Sequence, residues 1–143
     1  MSDATPIPEP NPAAHLPLAE LERGLADMPA RPTDAGTVAL LVARTADNLR
    51  ATPQRATLSK RGGMPRDRWA LGKAKPEQQL TVMETAVAQL IANGQPLTLF
   101  GDNLFVDLDL SAANLPVGTR LRAGSVLLRV VSEPHDGCSK FRE

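Results

Sequence analysis

The period of the hydrophobic pattern changes once along this chain, near residue 100, and that change rules out a plain helical bundle. Before it, Val82, Met83, Ala86, Val87, Leu90 and Ile91 recur at helical spacing and form one stripe. Thr81-Val-Met-Glu84 reads as a capping box at the start of that helix, and Asn93-Gly94 with Pro96 reads as its stop. After it, Leu104, Val106, Leu108 and Leu110 alternate with Phe105, Asp107 and Asp109, the pattern of a half-buried strand. Arg120 to Ala123 and Ser125 to Val131 read as two more strands around Gly124, with Val126, Leu128 and Val130 on one face. Strands with one well-marked helix predict a mainly β, α+β fold: a small β-barrel or curled sheet with helical additions.

The N-terminal part divides further. Prolines at 6, 8, 10, 12 and 17 make residues 1–17 a Pro-rich tail; disorder is expected there, with a docked arm as the alternative. Leu18, Leu21, Leu25 and Met28 predict a short amphipathic helix from Pro17, weakened by about 1 kcal/mol by Gly24. Pro29 and Pro32 end it, so residues 18–35 are helix and linker and 36–143 the main domain. The apolar run Thr37 to Ala43 reads as a buried strand. Asp47 to Lys75 is a polar, basic excursion with short strands expected around Ala56 to Leu58.

A chain of 143 residues is one domain and can bury a core without staples. Sixteen basic residues balance sixteen acidic ones, which gives no general field for nucleic acid or an anionic membrane. Aromatics make up only 3% of the chain, too few for a base-stacking platform. The N-terminus lacks the basic and apolar regions of a signal peptide, and no apolar run is long enough to span a bilayer. With one cysteine there is no internal disulfide, so a cytoplasmic setting is expected.

That cysteine, Cys138, lies in Glu133-Pro-His-Asp-Gly-Cys-Ser-Lys-Phe141, just beyond a strand. Pro134 and Gly137 break regular structure, which places it on a loop. A thiol acts as nucleophile or metal ligand only as thiolate, and nearby cations favour that form. His135, Lys140 and Arg142 supply them; Asp136 and Glu143 oppose, and Gly137 lets the backbone approach a ligand closely. A lone cysteine is commonly a buried small hydrophobe, but these polar flanks suit a core position poorly. His135-x-x-Cys138 lacks the fuller ligand set of a structural zinc, and the other histidine, His15, lies in the tail. No second histidine supports a cysteine hydrolase, whereas sulfur relay needs only an accessible, activated cysteine and a docking surface.

Gly101-Asp-Asn-Leu-Phe-Val-Asp-Leu-Asp-Leu-Ser111, Asn114-Leu-Pro-Val-Gly-Thr-Arg-Leu121, Gly124-Ser-Val-Leu-Leu-Arg-Val130 and His135-x-Gly-Cys-x-Lys-Phe141 together resemble the MOSC domain. This module is named after the C-terminal part of molybdenum cofactor sulfurases, and the resemblance is to its stand-alone bacterial members. Gly62-Gly-Met-Pro-Arg-Asp-Arg-Trp69 and Gln79-Leu-Thr-Val82 fit the same pattern in the same order. The resemblance implies a β-barrel and a cysteine, here Cys138, that carries a persulfide or ligates molybdenum. His135 and Lys140 would stabilise its thiolate. Asp67, Arg68, Asn103 and Gly137 would be the cofactor-binding residues, with Arg68 suited by its planar fork to a phosphate.

The implied cofactor is molybdenum cofactor, with pyridoxal phosphate acting only through a partner cysteine desulfurase. The implied partners are that desulfurase or a molybdoenzyme, and neither nucleic acid nor membrane. The alternatives are a molybdenum-cofactor-dependent reductase of N-hydroxylated compounds and a non-catalytic interaction module or remnant. This chain has Arg66 where many relatives have Gly, and Gly101-Asp102 where cofactor binders often carry an arginine before the Asn. It ends five residues past Cys138, where the family continues into barrel-closing strands. The expectation is therefore a barrel lacking its C-terminal strands, from a truncated gene product or one that self-associates through an open sheet edge.

Overall fold

A computed structural model of the chain describes residues 3–72 and 75–133. The fold is mixed α+β, with eight short strands, two α-helices and several 3-10 turns among the described residues. β2 (Thr37–Leu41), β6 (Leu104–Asp107) and β5 (Val82–Glu84) form one sheet with β6 in the middle. β6 runs antiparallel to β2 and parallel to β5. The parallel pair requires a crossover, and α2 (Thr85–Ala92) supplies it. A second sheet has the order β1 (Ala4–Pro6), β4 (Leu49–Ala51), β3 (Ala43–Arg44), and β7 (Arg120–Ala123) pairs with β8 (Val126–Arg129) as a separate hairpin. These sheets do not close into a barrel among the described residues.

β6 is the element on which the core is built. Phe105 packs on the α2 side with Val42, Ala88, Ala92 and Phe100, its ring meeting Phe100 edge-on at 6.0 Å. Leu104 and Val106 face the other way, against Ala43, Ala51 and Met64. The strand is therefore buried on both faces, not half-buried as its alternation suggests. The reason is that α2 covers the face on which Phe105 stands beside two aspartates in the sequence. Full burial of Phe105 contributes about 2–3 kcal/mol.

Four further expectations are corrected. The helix begins at Thr85, not Thr81, and Glu84 caps it without a side-chain hydrogen bond. Residues 82–84 instead extend as β5, because Thr81 and its neighbours are held by the segment before β6. β2 is an edge strand whose first three residues are exposed, and burial begins only towards Val42. Ala56 and Leu58 pack against the core without forming a strand, and the only pairing nearby is a bridge between Ser59 and Gly63.

Residues 3–17, expected to be disordered, lie along the body. Ala4–Pro6 pairs with β4, Asn11 N–H donates to Gln95 Oε1 at 2.7 Å, and Asn93 Nδ2 donates to Ala14 O at 3.0 Å. The prolines leave little to gain from collapse, but the β4 edge and the end of α2 offer partners that local composition does not reveal.

α1 (Leu18–Ala26) is present but turned. Leu21, Gly24 and Met28 face the body, while Leu18 and Leu25 are exposed. Gly24 faces α2: a Cβ there would stand 2.5 Å from Leu90 Cδ1, so a larger residue would require the Leu90 side chain to shift.

Candidate functional site

Asp67 is 2% exposed and accepts five hydrogen bonds. It sits at the N-cap of the 3-10 turn Arg68–Leu71, and its Oδ1 accepts from Trp69 N–H at 3.0 Å. Arg44, at the end of β3, approaches with both backbone and side chain. Its N–H and Nε donate to Asp67 Oδ2 at 2.9 and 3.1 Å, and its Nη2 donates to Oδ1 at 3.0 Å. This is the two-pronged pairing that a guanidinium makes with a carboxylate. Burial pushes the Asp67 carboxyl up. The Arg44 side chain and the backbone N–H groups of Arg44 and Trp69 outweigh it, and the pKa lies below its ordinary 3.8.

Asn103 completes the cluster and is fully buried. One Nδ2 hydrogen goes to Asp67 Oδ2 at 2.9 Å and the other to Val42 O at 3.0 Å, while Oδ1 accepts from Thr81 N–H at 3.2 Å. Both amide donors and the amide oxygen are thus engaged within the protein. Five segments meet here: the residue after β2, β3, the Asp67 turn, the run before β5 and the run before β6 that carries Asn103.

Asp67 and Asn103, both singled out by the same sequence resemblance, are brought into direct contact. Their polar atoms are turned to one another and to the backbone, so they shape the wall of a cleft and do not line it. Arg68 does line it, with Nη1 donating to Asn48 Oδ1 at 3.3 Å. Arg44 was not singled out from sequence. Its partner lies 23 positions away, and no local pattern marks the pairing. Cys138, His135, Gly137 and Lys140 lie outside the described residues.

The cleft has a volume of about 1370 Å³. One wall carries Arg44, Arg68 and Trp69, another the stretch 76–82, and the third the β7–β8 hairpin as far as Val131 and Glu133. On the first wall Arg44 is already paired with Asp67, and Arg68 has no ion-pair partner among the described residues. Asp102, which would oppose a phosphate, is buried and does not line the cleft, whereas Glu77 and Glu133 do. Glu133 faces Lys75 at 3.6 Å. Among the described residues no group of three or more His, Cys, Asp or Glu side chains is placed to hold a metal ion. No helix among them is long and apolar enough to cross a membrane. No protein-family model, curated protein or solved structure matches the chain.

Proposed function

We propose that this chain is a MOSC-type domain that handles sulfur, with Cys138 as the persulfide-carrying or molybdenum-ligating atom and the Arg44–Arg68–Trp69 wall as the seat of the anionic partner. The observation that carries this reading is the bond between Asp67 and Asn103. Two residues picked out by the resemblance, 36 positions apart, meet at the cleft that the last described strand borders. A second observation agrees. Arg66 takes a left-handed φ of +67°, the conformation glycine favours, at the position where many relatives carry Gly.

The chemistry is an exchange between sulfur atoms. The Cys138 thiolate attacks the terminal sulfur of a donor persulfide. A new S–S bond forms on Cys138, the donor's S–S bond breaks, and the donor cysteine leaves as thiolate. No external oxidant or reductant is consumed. His135 and Lys140 favour the anion before attack, and Arg68 offers its guanidinium to the negative charge of a bound partner. Molybdenum cofactor, when bound, would supply a metal centre for oxygen or sulfur transfer, with Arg68 holding its phosphate.

Incubation with a pyridoxal-phosphate-dependent cysteine desulfurase and cysteine tests the reading by intact mass. Gain of one sulfur atom at Cys138, lost in Cys138→Ser, is the expected result. A Cys138 left unmodified while the desulfurase loads a control acceptor would count against it. A non-catalytic interaction module is the second reading, favoured by the exposure of Leu71, Val117 and Leu127 at 74%, 65% and 58% along the cleft.

A further inference from the structure

The β7–β8 hairpin presents two features that the sulfur chemistry does not use. The first is electrostatic. Arg120 and Arg129 stand directly opposite one another in the ribbon, and Arg122 is one cross-strand step away on the same face. All three are exposed, and none has an ion-pair partner among the described residues. Like charges directly across a strand pair destabilise it, and adjacent acidic side chains would remove that repulsion.

The second feature is a strand edge that no strand covers among the described residues. Val130 N–H donates to Thr119 O, and Val130 O accepts from Gly118 N–H. Hydrogen bonding in a strand alternates, so Val126, Leu128 and Val130 turn their backbone groups towards β7. Those of Leu127, Arg129 and Val131 turn outward. Residues 127–131 all line the cleft although successive side chains point to opposite faces, so the cleft runs along this edge. At about 1370 Å³ it exceeds the volume usual for a small-molecule site.

We infer that the outer edge of β8 is a docking site for an extended segment of a partner protein whose side chains alternate between acidic and apolar. The segment adds as a strand, taking backbone hydrogen bonds from Leu127, Arg129 and Val131. Its acidic side chains lie beside Arg129 on the neighbouring strand, with Arg120 and Arg122 one strand further on the same face. Its apolar side chains enter the cleft against Leu128 and Val130. A neutral or basic segment leaves the arginines uncompensated, which is why charge selects the acidic one. The inference is independent of whether Cys138 carries sulfur.

An array of eight-residue peptides alternating Glu or Asp with Val, Ile, Leu or Phe tests this against the full chain by fluorescence anisotropy. Members of the array bind, and the double variant R122E/R129E loses affinity by about tenfold or more. Leu127→Pro, which removes an outward N–H that β7 does not use, weakens binding while circular dichroism stays unchanged. N-methylating alternate peptide residues abolishes binding in one phase and spares it in the other. The inference is overturned if no peptide binds below about 1 mM. It is also overturned if both methylation phases bind equally, or if a single-stranded oligonucleotide binds more tightly than every peptide.

Discussion

Asn103 donates to Asp67 at 2.9 Å from the mouth of β6, and both residues are buried. Through this bond the central strand holds the turn that carries Arg68 and Trp69. Removing Asp67 as Asp67→Ala leaves the Arg44 guanidinium and one Asn103 donor without partners. The expected loss is about 3 kcal/mol, the lower end for a broken buried pair because Arg44 is partly exposed. Asn103→Ala is expected to lose about 1–3 kcal/mol. Urea denaturation measures both, and a double variant less destabilised than the sum would show the coupling.

The same carboxyl sets an acid limit. Its pKa in the folded chain lies below the ordinary 3.8, held down by Arg44 and the two backbone N–H groups against the opposing effect of burial. A depressed carboxyl pKa contributes stability that is fully present above the unfolded value and is lost as pH falls through the folded one. Denaturation midpoints should therefore decline as pH drops below 3.8, and Asp67→Asn should flatten this decline while lowering stability near neutrality. Midpoints that fall as steeply in Asp67→Asn as in the parent would assign the acid limit elsewhere.

The sequence pattern located β2, β6, β7, β8 and both helices, but it missed β1, β4 and β5 and misread what surrounds the rest. Leu104 and Val106 announce a strand by alternation. That Phe105 is equally buried depends on α2 lying over it, which no local window contains. The hydroxyl and glutamate of Thr81-Val-Met-Glu84 have capping-box spacing, yet Thr81 N–H goes to Asn103, 22 positions on. In the site, Asp67 and Asn103 were legible through a motif, whereas Arg44 answers only to a partner distant in sequence. Local propensity reads periods and turns; it does not read which distant group claims a donor.

Arg66 tests the backbone of the Asp67 turn. Its φ of +67° is left-handed, which costs a non-glycine residue about 1–2 kcal/mol. Its ion pair with Asp3 joins two exposed side chains and adds little. Arg66→Gly should therefore raise stability by about 1 kcal/mol, and Arg66→Val should lower it. Thermal melts distinguish the cases: a glycine variant that melts lower would mean that the ion pair outweighs the strain.

Gly36 marks a point where two backbones nearly touch. A Cβ there would stand 1.8 Å from the Asp107 carbonyl oxygen, at the register where β2 begins to pair with the end of β6. A carbonyl fixed in a central strand has no rotamer to change. Gly36→Ala should cost about 1–3 kcal/mol or more by forcing the strands apart. Hydrogen exchange should show the amides of Thr37 and Val38 losing protection before those of Phe105.

The sulfur chemistry requires Cys138 to be an accessible anion at neutral pH. An ordinary thiol titrates near about 8.5, and neighbouring cations lower that value by favouring the thiolate. His135 and Lys140 lie within three positions of the cysteine and are the cations to which the proposal gives that role. The rate of alkylation against pH should therefore give a midpoint below about 8.5 in the parent chain. The midpoint should move upward in His135→Ala and again in His135→Ala with Lys140→Ala. Removing a cation weakens the anion, so the shift has only one permitted sign. A parent thiol titrating like a free cysteine, or one that reacts only after denaturation, would remove the nucleophile from the proposed exchange and leave the cleft as a binding surface alone.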